Sequence, residues 1–220
     1  MASAAAHEPH EHTHYTTTGL ENRKVAIWAF IGSECMLFAS LISTYLIYKG
    51  KSIVGPFPHE AWTDPGGHVF KPILNIPVTS QSTFVLLMSS LAMVLALAAV
   101  ENRGKPGYVG TLLGNSKLWL AATAVLGMTF LGYQAFEFTS FVHEGLTIHT
   151  NLFGSTFFTL TGFHGAHVTA GVLWLLTLLS IDFKRGLTPK DTLIVDMCAL
   201  YWHFVDVVWI AIFTLVYLIK

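Results

Sequence analysis

Five long apolar runs, roughly residues 25–48, 79–100, 118–142, 152–181 and 193–219, contain no lysine or arginine. At about 1.5 Å of rise per residue, each is long enough to cross a hydrocarbon core of about 30 Å. Lipid offers the backbone no hydrogen-bonding partner, so such runs must close their own bonds as helices. The expected fold is an all-α membrane protein, a bundle of five transmembrane helices. Composition agrees, since 53% of residues are hydrophobic and 11% charged, against about a quarter charged in soluble domains. A formal net charge of -1 leaves no basic footprint for nucleic acid. Tyr45, Tyr48, Trp119, Phe153 and Tyr217 mark the ends of runs, as interfacial belts do.

Basic residues in the connecting segments give an orientation. Arg23, Lys24, Arg103, Lys105, Lys117, Lys184, Arg185 and Lys190 fall on the N-terminal side, and Lys49, Lys51, Lys71 and Lys220 on the other. Eight against four places the N-terminus inside and the C-terminus outside, inside meaning the cytoplasm of a bacterium. Residues 1–22 are polar and His-rich without an apolar h-region, so they read as a disordered tail rather than a cleavable signal. A solvated leader is preferred over metal chelation by its histidines. The membrane domain then covers residues 23–220. The first outer connection, with GPFPHEAWTDPGG, is too rich in Pro and Gly to be helical. Cys35 and Cys198 sit in apolar runs without CxxC spacing and read as small core residues.

Ionisable side chains inside the runs are the candidates for function. Glu34 lies ten residues past Lys24, about 15 Å along the helix axis. His164 and His167 lie near the middle of the fourth run, His203 and Asp206 near the middle of the fifth. An unpaired charge at that depth costs at least about 2.5 kcal/mol, and no Lys or Arg lies within a span to neutralise either acid. Each acid must carry a proton, pair with a histidine or face a wet cavity. For Glu34, without a basic residue in its own span, a protonated carboxyl is expected. Three-residue spacing puts each pair on one helix face, and these faces are expected to turn inward as a hydrogen-bonded network. Gly162, Ala166 and Ala170 form a ridge of small residues that favours close packing of the fourth and fifth helices. A zinc, copper or haem site is the sharper alternative, disfavoured because HExxH and CxxCH spacings are absent. Glu137 and Asp196, near span ends, read as solvated. Trp28, Trp174, Trp202 and Trp209 read as packing or interfacial residues.

YWHFVDVVW at 201–209, GSTFFTLTGFHGAHVTAG at 154–171 and IGSECMLFASLISTYL at 31–46 closely resemble subunit III of the haem-copper oxidases, cytochrome c oxidase in particular. The resemblance implies a helical bundle without catalytic residues, redox centres or bound metal. It would sit beside the catalytic subunit I, which carries haem and copper, and other oxidase subunits, with membership of a larger respiratory supercomplex as a further expectation. Many members have seven helices around a lipid-filled cleft, and this chain resembles a shorter form lacking the first two. The implied role is to stabilise the catalytic subunit, hold structural phospholipid and support proton uptake in the bacterial inner membrane. Glu34, His164, His167, His203 and Asp206 match the family's polar positions. Arg23, Lys24, Lys184 and Arg185 are candidates for lipid phosphate. Subunit III of a quinol oxidase is the nearest alternative. A stand-alone proton-coupled transporter is the more distant one, and its internal repeats and matching broken helices are not found in the sequence.

Overall fold

The computed structural model describes residues 21–63, 66–67, 69–70 and 72–219. Of residues 1–22, to which the disordered-tail reading refers, 1–20 lie outside the described residues, and the first helix already begins at Asn22 with Glu21 as its N-cap. Five helices are long and apolar enough to cross a membrane. They are α1 (Asn22–Tyr48), α2 (Ile76–Glu101), α3 (Ser116–His143), α4 (Leu152–Lys184) and α5 (Thr192–Phe213), which continues in a wider turn over Thr214–Leu218. Each overlaps one apolar run, and ends differ from the expected ones by a few residues. Asparagines supply several starts. Asn75, Asn115 and Asn151 accept hydrogen bonds from Val78 N, Leu118 N and Gly154 N, satisfying amides that have no partner inside the helix.

Helix α5 lies against α1, α2 and α4, while α3 bridges α2 and α4. It is the most buried of the spans and α1 the least. Tryptophan size sets this arrangement. Trp202 on α5 is fully buried, and Gly127 on α3 and Gly171 on α4 leave the space for its ring. A Cβ on either glycine would lie 2.6 or 2.8 Å from that ring. Helices α4 and α5 therefore do pack closely, but through Gly171 and not through the expected ridge. Gly162 meets nothing within 4 Å, and Ala166 and Ala170 are exposed. The fully buried Val168 shows where the packed face of α4 runs.

The outer connection holds a two-stranded antiparallel ribbon, β1 (Trp62–Thr63) with β2 (Val69–Phe70). It is fastened to the start of α4. Asn151 Nδ2 donates to Val54 O and Pro56 O, both at 3.0 Å, and Phe153 N donates to Ser52 Oγ at 3.0 Å. Of the two cysteines, Cys198 is buried as expected, whereas Cys35 is exposed on the outer face of peripheral α1.

Candidate functional site

The ionisable groups expected to form one network occupy three separate settings. Glu34 and His167 meet where α1 crosses α4, with His167 Nε2 3.1 Å from Glu34 Oε2. The other ring nitrogen, Nδ1, lies 2.7 Å from Phe163 O. A carbonyl only accepts, so Nδ1 carries a hydrogen. Two arrangements remain for the Glu34 contact: a neutral imidazole accepting from a carboxylic acid, or an imidazolium donating to a carboxylate. One proton between Oε2 and Nε2 serves both, and the pair has no net charge in either. The basic partner that Glu34 lacks within its own span thus comes from α4, and the first of the two arrangements keeps the protonated carboxyl expected from the sequence. Phe38 sits edge-on to the His167 ring at 5.0 Å, and Tyr201 of α5 donates to His167 O at 3.0 Å. The pair is held in place yet lies at the bundle's edge, its side chains 18% and 16% exposed.

The second setting is a polar seam between α2 and α5. Trp202 Nε1 donates to Ser89 Oγ at 3.0 Å, Trp209 Nε1 donates to Thr83 Oγ1 at 2.9 Å, and His203 Nδ1 lies 2.6 Å from Ser90 Oγ. Asp206 is 4% exposed beside Ser90, and neither carboxylate oxygen makes a well-aligned hydrogen bond among the described residues. The partners of the two indoles, Thr83 and Ser89, are six residues apart on α2 while Trp202 and Trp209 are seven apart on α5, so no shared repeat in the sequence marks this seam.

His164 forms the third setting. It is fully enclosed, stacked on Trp209 at 4.9 Å and edge-on to Phe130 at 5.8 Å, with neither ring nitrogen hydrogen-bonded among the described residues. Among the described residues, no three His, Cys, Asp or Glu side chains gather as a possible metal set.

Both acids read as solvated are engaged by the protein. Glu137 is 8% exposed and accepts from Thr79 Oγ1 at 2.8 Å, tying α3 to α2. Asp196 pairs with Lys24 at 2.8 Å, tying α5 to α1. An unforeseen hub lies at the same end of the bundle as Asp196. The fully buried Asp182 accepts from Ser116 Oγ at 2.6 Å, Leu187 N at 2.7 Å and Arg103 Nη1 at 3.3 Å. Arg103 also donates to Leu187 O. One carboxylate thereby joins the ends of α2, α3 and α4.

Of the four lipid-phosphate candidates, Lys24 is taken by Asp196, and Arg185 makes a two-pronged contact with Asp191 at 2.8 and 3.1 Å. That contact raises the Arg185 pKa above its ordinary value, the hydrogen bond contributing more than the charge. Arg23 and Lys184 remain exposed. At the opposite end, Lys49 Nζ donates to Ile219 O at 2.6 Å and Leu215 O at 3.4 Å, and burial lowers its pKa.

By sequence, residues 3–220 match the family described as cytochrome c oxidase subunit III. Among relatives, the cytochrome c oxidase subunit 3 of Bacillus sp. (strain PS3) is 40% identical over 198 residues, covering 90% of this chain and 86% of the relative. The cytochrome bo(3) ubiquinol oxidase subunit 3 of Pseudomonas aeruginosa is 36% identical over 216 residues, covering 98% and 93%. The quinol oxidase subunit 3 of Bacillus subtilis is 36% identical over 194 residues, covering 88% and 85%.

Proposed function

The chain belongs to the cytochrome c oxidase subunit III family, and on that premise we propose that it serves a cytochrome c-type haem-copper oxidase as a non-redox scaffold. In this reading it stabilises the catalytic subunit I, which carries the haem and copper, holds phospholipid, and supports proton uptake in the bacterial inner membrane. The observation that carries the scaffold role is how the mid-membrane polar groups are used. His167 joins Glu34 across α1 and α4, and His203 joins Ser90 across α2 and α5. These bonds hold helices together, and the paired proton of Glu34 and His167 leaves no net charge in lipid. Support of proton uptake is the weaker extension, resting on a proton already present at the bundle's edge, where a partner subunit can approach it. Arg23 and Lys184 are the lipid-phosphate candidates whose side chains stay exposed.

Cytochrome c as donor is favoured by the 40% identity to a cytochrome c oxidase subunit, against 36% to each of the two quinol oxidase subunits described above. A quinol donor is the second reading, favoured by the 98% of the chain aligned with the Pseudomonas aeruginosa protein. Purifying the intact complex through a tag on this chain separates them. Oxygen consumption driven by reduced cytochrome c, and not by quinol, is the expected result, and the reverse selects the quinol reading. Depleting the chain from that complex is expected to leave haem spectra unchanged while activity decays during sustained turnover. Loss of haem in proportion to the chain removed would overturn the non-redox role.

A further inference from the structure

The connection between α2 and α3 has a shape and chemistry that the scaffold role does not use. Residues 102–117, NRGKPGYVGTLLGNSK, contain Arg103, Lys105 and Lys117 and no acidic residue. Gly104, Gly107 and Gly110, with φ of 88°, 91° and 73°, turn the chain back on itself in a conformation other residues rarely adopt. The result is an open-mouthed cavity of about 570 Å³ walled by Arg103, Tyr108, Asn115, Ser116 and Lys117. Asp182 already balances the Arg103 charge. Lys105 contacts Asn102 Oδ1 at 2.9 Å and Lys117 lies over the Phe183 ring at 5.1 Å, so neither has a carboxylate partner among the described residues.

Trp119 sets the depth of this connection. Its Nε1 donates to Leu112 O at 3.1 Å, so the segment folds down along the first turn of α3. Trp119 lies three residues past the start of α3 at Ser116, about 4.5 Å along the axis. An indole at such a helix end sits at headgroup level. Val109, Leu112 and Leu113 are nevertheless 69%, 66% and 50% exposed. Apolar side chains exposed at that level meet acyl chains, while cationic side chains beside them meet phosphate.

We propose that residues 102–117 form a binding site for an anionic phospholipid, its phosphate at the cavity wall beside Lys117 with Lys105 of the same connection adding charge, and its acyl chains against Leu112 and Leu113. The occupant is a lipid and not free phosphate, because only a lipid covers the apolar rim. The site calls on Lys105 and Lys117 in addition to the earlier candidates Arg23 and Lys184, and it depends on the chain's membrane embedding and not on the electron donor. Its failure would leave the donor assignment untouched.

The test uses the intact oxidase complex in phosphatidylcholine nanodiscs carrying a minor fraction of acyl-brominated phosphatidylglycerol or acyl-brominated phosphatidylcholine. Subtracting the fluorescence of a Trp119→Phe complex isolates Trp119. Brominated phosphatidylglycerol is expected to quench Trp119 more than the phosphatidylcholine at equal fraction, and high salt should erase the difference. Each basic residue near an anionic surface is worth about five-fold in affinity, so Lys105→Gln with Lys117→Gln should lower phosphatidylglycerol retention about twenty-five-fold. Equal quenching by both lipids in the unmodified complex at low salt would overturn the proposal. So would an undiminished preference in the double variant, or displacement of the lipid by inorganic phosphate.

Discussion

A single hydrogen position on His167 governs the chemistry of Glu34. Because Nδ1 is committed to Phe163 O, Nε2 and Oε2 have one proton to divide between them. Glu34→Gln keeps a donor facing Nε2 and should be tolerated. Glu34→Ala removes the donor and should destabilise the bundle by about 1 kcal/mol, the usual scale for a hydrogen bond between membrane helices. Thermal retention of the chain in the detergent-solubilised complex checks the order of the two variants, and equal losses would mean the contact carries no energy. The polar positions themselves were legible, because a charge at mid-membrane depth must have a reason. Their partners were not. His203 bonds to a serine of α2, and a serine in an apolar helix carries no mark of what it faces, since its hydroxyl can equally bond its own backbone.

At the scale of helices, contacts depend on size and on end-to-end links. Trp202 is fully buried in a space opened by Gly127 and Gly171. Gly171→Val should overfill that space and cost roughly 1–3 kcal/mol. Gly162→Val, on the open face of the same helix, should cost far less. Comparing the apparent Tm of the two variants distinguishes this packing from a general intolerance of larger residues in α4. The ridge expected from Gly162, Ala166 and Ala170 failed because small residues at four-residue spacing describe a face without saying which neighbour occupies it. Asp182 was passed over for a different reason. It lies just beyond the apolar run, where a carboxylate usually means solvent, and only the folded connections bring Ser116, Arg103 and Leu187 N to it. Asp182→Ala leaves those donors unmatched and should cost on the order of 2–3 kcal/mol, allowing for the partial exposure of Arg103. Protease nicking of the connections at that end should rise in the same variant.

For the whole molecule, five spans and the family were readable from length, apolarity and a few motif strings, because lipid restricts the possible folds so severely. The helix order in space was not, since the polar pairs mark an inward face on two spans without saying which neighbour it meets, and the other spans show no clear inward face. The orientation expected from the distribution of basic residues can be tested directly. In a Cys35→Ser background, Ile53→Cys should react with a membrane-impermeant maleimide in intact cells. Lys190→Cys should react only after permeabilisation. The opposite pattern would invert the topology.

Helix α1 is fastened at three heights: Lys24 to Asp196, Glu34 to His167, and Lys49 to the carbonyls of Leu215 and Ile219. All three anchors lie on segments that follow α1 in the sequence: α4, α5 and the residues after it. Until those segments have been synthesised, α1 waits in the bilayer as a lone rod whose glutamate has found no imidazole. Removing the residues around Leu215 and Ile219 therefore loosens a helix far away in sequence, and an interrupted synthesis announces itself as an undocked α1 that quality-control proteases can recognise.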